Sequence, residues 1–297
     1  MLLDAVIGCS GADLRRNGPF KNLGFISDTR DESLVFLSDA RFGCELLNNR
    51  HVSAVITTTL LSALVPELVA LASCEDPKTA FARIHNHLCQ SDFYWQDFAT
   101  EIDTTANVHP AAWIAERNVR IGPRTVVGPR ATVLERCEIG EDCVIGAGSI
   151  LGGVGLQTVN MGDTLLEMQH AGGLRLKNRV HILPGAVVAT GLFRQYTQLG
   201  DDVRVGARAF VSHAVQVGAA SFVGHGAVVN GNVCIGERVW IGPGAVVTHG
   251  VEILDHAVVS LGAVVIRDVG AHARVSGNFA EPHRMLLRRM AGAGSAD

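Results

Sequence analysis

Aliphatic residues recur at every sixth position through most of the chain after residue 120. One unbroken run of this spacing extends from 199 to 265, and an earlier run extends from 121 to 151. Neither the strand period of two residues nor the helix period of 3.6 residues produces a spacing of six. A short, fixed period is typical of stacked repeats. The later run consists of Leu199, Val205, Val211, Val217, Val223, Val229, Ile235, Ile241, Val247, Ile253, Val259 and Val265, and the earlier run of Ile121, Val127, Val133, Ile139, Ile145 and Leu151.

Each group of six residues, or hexad, follows the order aliphatic, small, polar, polar, small and any residue, as in 235–240 (IGERVW). We interpret one hexad as a short strand and a corner, with the aliphatic side chain inward and glycine where the backbone turns tightly. Three hexads then close one triangular coil. The composition agrees with a narrow interior, since 47% of the residues are hydrophobic and only 5% are aromatic.

This pattern resembles the left-handed parallel β-helix of the hexapeptide-repeat acyltransferases. The handedness is taken from that resemblance, because crossovers between parallel strands are otherwise almost always right-handed. The sequence therefore predicts a mainly β protein built around such a helix, over residues 101–276.

The residues before 101 lack the hexad spacing and predict a separate small α/β domain, 1–100. Residues 34–38 (SLVFL) and 53–58 (SAVITT) are typical of strands. Asp76 before Pro77 indicates the start of a helix.

Three further segments depart from the repeat. Residues 91–105 are predicted to link the two domains, with apolar residues that can dock. An extended loop is predicted at 156–175, where the spacing is lost. After Val275 the repeat ends, and residues 277–297 are predicted to form a short basic helix and a tail.

Charge and cysteine usage exclude several function classes. The net charge of −4 gives no electrostatic basis for binding nucleic acid or an anionic membrane. No stretch is long and apolar enough to span a bilayer. The seven cysteines show no CxxC spacing, and Cys137 and Cys143 occupy the fifth hexad position, where small buried residues belong. This usage predicts reduced thiols and a cytoplasmic location.

Histidines fall at defined places in the repeat. His213 and His249 both occupy the third hexad position and are two full coils apart, so they are predicted to lie on one side of the helix. With strands about 4.8 Å apart, two coils separate them by roughly 10 Å. His225 also occupies a third position but faces another side. Third positions are predicted to point outward, and a neutral imidazole is suited to accepting a proton near pH 7.

Two other chemistries are disfavoured. Zinc sites in some left-handed β-helices use the spacing HxxxxH, which does not occur among the twelve histidines, so no metal is predicted. Ser212 is adjacent to His213, and neighbouring strand residues point to opposite faces, so no serine nucleophile paired with His213 is predicted.

Both halves together resemble the UDP-3-O-acylglucosamine N-acyltransferases of lipid A biosynthesis. In the N-terminal domain the similar segments are 36–42 (FLSDARF), 53–58 (SAVITT) and 76–83 (DPKTAFAR). In the β-helix they are 211–218 (VSHAVQVG), around His213, and the glycine-rich segment 152–157 (GGVGLQ). The chain's exit from the helix, around Ser276, Gly277 and Pro282, is similar as well.

The resemblance implies roles for individual residues. His213 would be the general base, and Phe36 and Phe42 would hold a uracil ring. Asp39 stands where the family commonly has asparagine, and Gly206 stands where it tends to have an aspartate that could orient the base. The family's second histidine falls one position after His249. The complete set of substrate-binding residues is predicted as Phe36, Asp39, Arg41, Phe42, His225 and His249.

The implied reaction moves an acyl group from a thioester, on acyl carrier protein or CoA, to the amine of a nucleotide-linked amino sugar. No bound cofactor is expected. Two alternatives stay open, an acetyl-CoA-dependent sugar acetyltransferase of another pathway and a catalytically silent trimeric scaffold. A homotrimer is expected, since a groove on a flat face gains a second wall from a neighbouring subunit.

Overall fold

The computed structural model describes residues 1–277 and 284–285. From residue 101 the chain forms three parallel sheets of nine, eight and eight strands, which are the three faces of a triangular prism. Each strand pairs with the strand one coil later, as Val205 pairs with Val223 and Val223 with Ile241. The predicted parallel β-helix of hexapeptide repeats is confirmed.

The three faces differ in the side chains that point outward. The apolar face consists of Trp113–Ile114, Thr132–Val133, Ile150–Gly153, Val187–Ala189, Phe210–Val211, Val228–Val229, Val246–Val247 and Val264–Val265. The polar face consists of Glu101–Ile102, Val119–Ile121, Cys137–Ile139, Gly173–Leu176, Tyr196–Leu199, Gln216–Val217, Cys234–Ile235 and Glu252–Ile253. The mixed face consists of Asn107–Val108, Val126–Val127, Val144–Ile145, His181–Ile182, Arg204–Val205, Phe222–Val223, Trp240–Ile241, Val258–Val259 and Arg274–Val275.

The aliphatic residue of each hexad points into the prism, and every member of both runs is at most 5% exposed. Cys137 and Cys143 are also fully buried there, as predicted. The small residue after the aliphatic one is required by the next coil, since a Cβ at Gly218 would clash with the backbone of Gly236. The repeat pattern is therefore set by the stacking distance between coils.

The N-terminal domain is a five-stranded sheet. Its strands are β1 (Asp13–Arg16), β2 (Asn22–Leu23), β3 (Ser33–Leu37), β4 (Val52–Thr57) and β5 (Ala70–Ser73), in the order β1-β5-β4-β3-β2 with only β1 antiparallel. The helices are α1 (Asp4–Ile7), α2 (Gly43–Asn48) and α3 (Pro77–Leu88), with 3₁₀ turns at Ala40–Phe42 and Ser62–Leu64.

The two strands and the helix expected from the sequence are confirmed as β3, β4 and α3. The Asp76 carboxylate caps α3 by accepting a hydrogen bond from Thr79 N at 3.1 Å. The sequence reading missed β1, β2 and β5.

Two insertions join the domains. Residues 154–172 leave the prism as a β-hairpin of Thr158–Asn160 and Leu165–Glu167 that packs on α3, and not simply as an extended loop. Residues 190–195 form a second insertion, whose Phe193 is buried in the N-terminal core against Phe81 and Phe25, at ring-centroid distances of 5.8 and 5.4 Å. The core of the small domain is thus completed by the β-helix.

The predicted linker docks through its aromatic residues. Tyr94 is buried, with its hydroxyl 2.7 Å from His85 Nδ1, and Trp95 Nε1 donates to the carbonyl of Ala171. The predicted C-terminal helix within 277–297 lies outside the described residues, apart from 284–285, which are helical. No helix in the described part of the chain is long and apolar enough to cross a membrane.

Candidate active site

His213 and His249 lie at the same corner of the prism, where the apolar face ends and the polar face begins. Their ring centroids are 6.1 Å apart. Gly231 lies on the coil between them, and a Cβ there would clash with the His213 ring. The rings come closer than the predicted 10 Å because the missing side chain lets His213 lean across that coil.

The His213 ring points out of the prism, as predicted, but the expectation that it is exposed to solvent is wrong, because other residues cover it. His213 is 6% exposed. The hairpin insertion folds back over the corner and places two residues on the ring. The His170 ring lies at a centroid distance of 5.6 Å, and a Cβ on Gly155 would be 3.3 Å from His213 Nδ1.

Ser212 contacts His213, contrary to the sequence-based expectation. Its Oγ lies 3.2 Å from His213 Nδ1. Strand alternation does not apply here, because the strand ends at Val211 and the next residues form the corner, where Ala214 has a left-handed φ of 58°. Ala214 N donates to Thr197 Oγ1 at 2.8 Å and fixes this corner. The Ser212 hydroxyl therefore contacts the His213 ring, whereas Gly206 has no side chain that could do so.

Burial keeps the covered histidines neutral. Desolvation lowers the pKa of His213 from 6.5 to about 4, with smaller contributions from the nearby His170 and His249 rings. Desolvation also lowers the pKa of His170 to about 4, with a contribution from His85. The Nε2 atoms of His213 and His170 are buried without a hydrogen-bond partner among the described residues. A neutral imidazole with a free nitrogen can accept a proton.

A groove of about 950 Å³ separates the N-terminal domain from this corner. His249 is exposed to it, and Asn232 Nδ2 lies 3.3 Å from His249 Nε2. His213 does not line the groove but lies directly behind His249. The small domain contributes Phe25, Ser27, Asp28, Thr29 and Phe42, and the β-helix contributes Gln195, Ala214, Gln216, Asn232, Cys234, His249, Gly250 and Glu252.

An aromatic cavity of about 160 Å³ adjoins the groove, with Phe25, Ser27 and Phe42 common to both. Phe36 lies in its wall and also packs on Phe81, with ring centroids 5.2 Å apart, so it is part of the hydrophobic core as well. Phe42 is 45% exposed, as a ligand-stacking ring requires. The sequence reading missed Phe25, which lies outside any element with a recognisable pattern.

Three of the predicted substrate-binding residues lie elsewhere. Asp39 and Arg41 pair with each other at 2.8 Å and line neither the groove nor the aromatic cavity. Hydrogen bonds from Arg41 lower the pKa of Asp39. His225 is exposed at another corner, where its Nδ1 accepts a hydrogen bond from Ala207 N at 2.9 Å. The structure thus brings together Phe36, Phe42 and His249, with His213 behind.

The charge of the groove is negative. Its described lining includes Asp28 and Glu252 but no lysine or arginine. Asp28 is paired with Arg30, whose Nε donates to it at 2.8 Å, whereas Glu252 has no ion pair among the described residues. No group of three or more potential metal ligands occurs in the described part of the chain.

Two family models match the repeats. The bacterial transferase hexapeptide (six repeats) matches residues 118–153. The hexapeptide repeat of succinyl-transferase matches residues 196–230 and 232–267. Both describe repeats of transferases, and a succinyl-transferase moves an acyl group, so the matches support an acyltransferase.

Solved structures of other proteins are similar in fold. UDP-N-acetylglucosamine O-acyltransferase from Moraxella catarrhalis RH4 is 20% identical over 65% of this chain and 76% of its own, with a TM-score of 0.43. UDP-N-acetylglucosamine acyltransferase from Campylobacter jejuni is 14% identical over 62% of this chain and 77% of its own, with a TM-score of 0.43. The acetyltransferase domain of PglB from Neisseria gonorrhoeae FA1090 is 16% identical over 84% of this chain and 98% of its own, with a TM-score of 0.24.

No curated protein matches the chain in sequence.

Proposed function

We propose that the protein transfers an acyl group from a thioester donor, acyl carrier protein or CoA, to the amine of a nucleotide-linked amino sugar. The observation that supports this is the continuity between the two halves of the site. Phe42 and His249 line the same groove, with the aromatic cavity at one end and the histidine corner at the other. A ligand with a planar ring and an amine matches that arrangement.

In this proposal His213 is the general base. The acceptor amine attacks the thioester carbonyl, a C–N bond forms and the C–S bond breaks. The amine proton passes to His213 Nε2, which then gives it to the leaving thiolate and returns to its neutral form. Ser212 holds Nδ1, and His249 contacts the acceptor from the groove. The amine reaches Nε2 from the His249 side, because Gly155 and His170 close the other side.

The test is acyl transfer from acyl carrier protein or CoA thioesters to a panel of amino sugars, followed by mass spectrometry. His213→Ala should reduce turnover by about 10²–10⁴-fold, as loss of a positioned general base does. His249→Ala should mainly raise KM. His225→Ala is the matched control, because it removes an exposed histidine from another corner. Near-normal turnover by His213→Ala refutes the assignment of the base.

The groove charge favours a second candidate, an acetyl-CoA-dependent acetyltransferase of an amino sugar without a diphosphate. A diphosphate would meet the Glu252 carboxylate, with no lysine or arginine in the described groove lining to offset the repulsion. An ammonium group would be attracted by the same carboxylate. Isothermal titration with UDP-linked and phosphate-free amino sugars distinguishes the two functions. If neither class of amino sugar binds and no turnover is found, the catalytically silent scaffold is the remaining function.

We also propose a homotrimer that packs through the apolar face. Its outward residues include Trp113, Ile150, Val246 and Val264, which are between 36% and 55% exposed. An exposed apolar surface that runs along the full prism is typical of a protein interface. This packing would place the histidine corner, at the edge of the same face, beside a neighbouring subunit. We also propose that the protein is located in the cytoplasm.

A further inference from the structure

His170 is a buried histidine that the reaction proposed above does not use. It is 9% exposed and lines neither the groove nor the aromatic cavity. Within the part of the chain that the structure describes, its Nε2 has no hydrogen-bond partner. Burying a polar atom without a partner costs free energy. A buried group of this kind in a folded protein calls for an explanation.

The surroundings of His170 point towards His213. The two rings meet edge to face, with centroids 5.6 Å apart and an interplanar angle of 70°. Gly155 closes the space beside them, since its Cβ would be 3.1 Å from His170 Nε2 and 3.3 Å from His213 Nδ1. Both distances are tighter than most real Cβ contacts, so a side chain at this position would push against both rings.

The N-terminal domain holds His170 in this position. Asn86, on α3, donates to Glu167 O at 2.7 Å and accepts from Gln169 N at 3.0 Å. His85, on the same helix, has its Nε2 2.6 Å from Gln169 O. The strand of the insertion that leads to His170 is therefore fixed to α3 by three hydrogen bonds.

We infer that His170 is a positioning residue for His213, whose ring it covers to exclude water on the side away from the groove. The sealed ring stays neutral, and the side towards His249 is the one that His170 and Gly155 do not cover. The groups that face this pair are His249 from the next coils, His85 from α3, and Arg136, whose Nη1 donates to His170 O at 3.2 Å. The lowered pKa of His213 agrees with this exclusion of water. The role of this cover, or seal, in catalysis rests on the proposed function, whereas the exclusion of water from the His213 ring does not.

Chemical modification tests the seal without any substrate. Diethyl pyrocarbonate reacts with neutral, accessible imidazole, and the tryptic peptide 209–238 carries both His213 and the exposed His225, which serves as an internal reference. In the parent protein His213 should react much more slowly than His225. In His170→Ala the rate at His213 should rise by about tenfold or more, because the reaction no longer waits for local opening.

The pH dependence of His213 modification distinguishes exclusion of water by His170 from a merely structural role of His170. In the parent protein the pKa of His213 is about 4. The rate at which His213 itself is modified should therefore stay nearly constant between pH 5 and 8. In His170→Ala the reactivity should fall below about pH 6.5, the value of a hydrated imidazole. His170→Phe restores a ring of similar size and should behave like the parent, and His87→Ala removes an exposed histidine of α3 as a control.

Unchanged reactivity of His213 in His170→Ala would overturn the inference, as would a His170→Phe variant as reactive as His170→Ala. If His170→Ala does not fold, Asn86→Ala releases the same strand from α3 and should raise the reactivity of His213 by a smaller factor. No rise in that folded variant also counts against the seal. If the seal is found but no acyl transfer occurs in the parent, the proposed function fails and the positioning of His213 stands.

Discussion

Gly231→Ala should disrupt the histidine corner although it adds a single methyl group. Its Cβ would lie 2.8 Å from His213 Cδ2 and closer still to Nε2 and Cε1, inside the 3.0 Å that real Cβ atoms keep. The ring cannot retreat towards the hairpin insertion, because Gly155 and His170 occupy that side. It must therefore shift away from the added methyl group, which disturbs its contacts with Ser212 and His249.

Two measurements give the size of this effect. Overpacking of a filled site typically costs about 1–3 kcal/mol, so the free energy of unfolding should fall by that amount in denaturant titrations. Displacing a catalytic group by about 1 Å can cost around 10²-fold in rate, and we expect a loss of that order in acyl transfer.

Gly270→Ala is the matched control for Gly231→Ala. No atom of the described residues lies within 4 Å of the Cβ it would add, and its φ is not in the left-handed region. Stability should be unchanged or slightly higher, because alanine restricts the unfolded chain. Both variants are compared with the parent at one protein concentration, so that assembly does not bias the result. Equal stability and equal turnover of the two variants would refute the packing argument.

Three further predictions concern other parts of the molecule. Val246→Glu should give monomers by light scattering. Gln216→Glu, on the polar face, is the control and should leave the trimer intact. If the Val246→Glu variant is still a trimer, the apolar face is not the interface. Phe42→Ala should weaken binding of a uridine nucleotide by roughly 1–3 kcal/mol, as loss of a stacking ring does, and equal affinity in calorimetry would mean that the aromatic cavity is structural. The buried histidines with a pKa of about 4, His85, His170 and His213, bind fewer protons folded than unfolded, so stability should fall as the pH drops from about 6.5 to 4. Equal unfolding free energies at pH 7 and pH 5 would contradict this.

The hexads predicted the β-helix well because its geometry repeats. An inward Val223 must be followed by an inward Ile241 one coil later, so a few hexads determine the register of all the others. The same regularity correctly placed His213 and His249 on one side. In the small domain, α3 was predictable from local chemistry, since Asp76 and Pro77 begin the helix wherever the rest of the chain lies.

The parts that sequence reasoning missed depend on contacts between distant segments. The burial of His213 comes from His170, which is 43 residues earlier in a segment without any periodic pattern. Alternation of side chains along a strand predicts that Ser212 and His213 point apart, but the strand ends one residue before Ser212. Asp39 and Arg41 followed a family resemblance, yet their short spacing lets them pair with each other. Local patterns carry no signal for these arrangements.

The two insertions show why the small domain belongs to the site. Phe193, from the second insertion, lies in the core of that domain, and the first insertion is held by Asn86 and His85. The wall of the groove that carries Phe42 and the cover over His213 are therefore both anchored in the same domain. Detaching that domain would open the groove and uncover His213 together. A rigid attachment of this kind suits the proposed function, in which His213 must stay dry while the ligand contacts both domains.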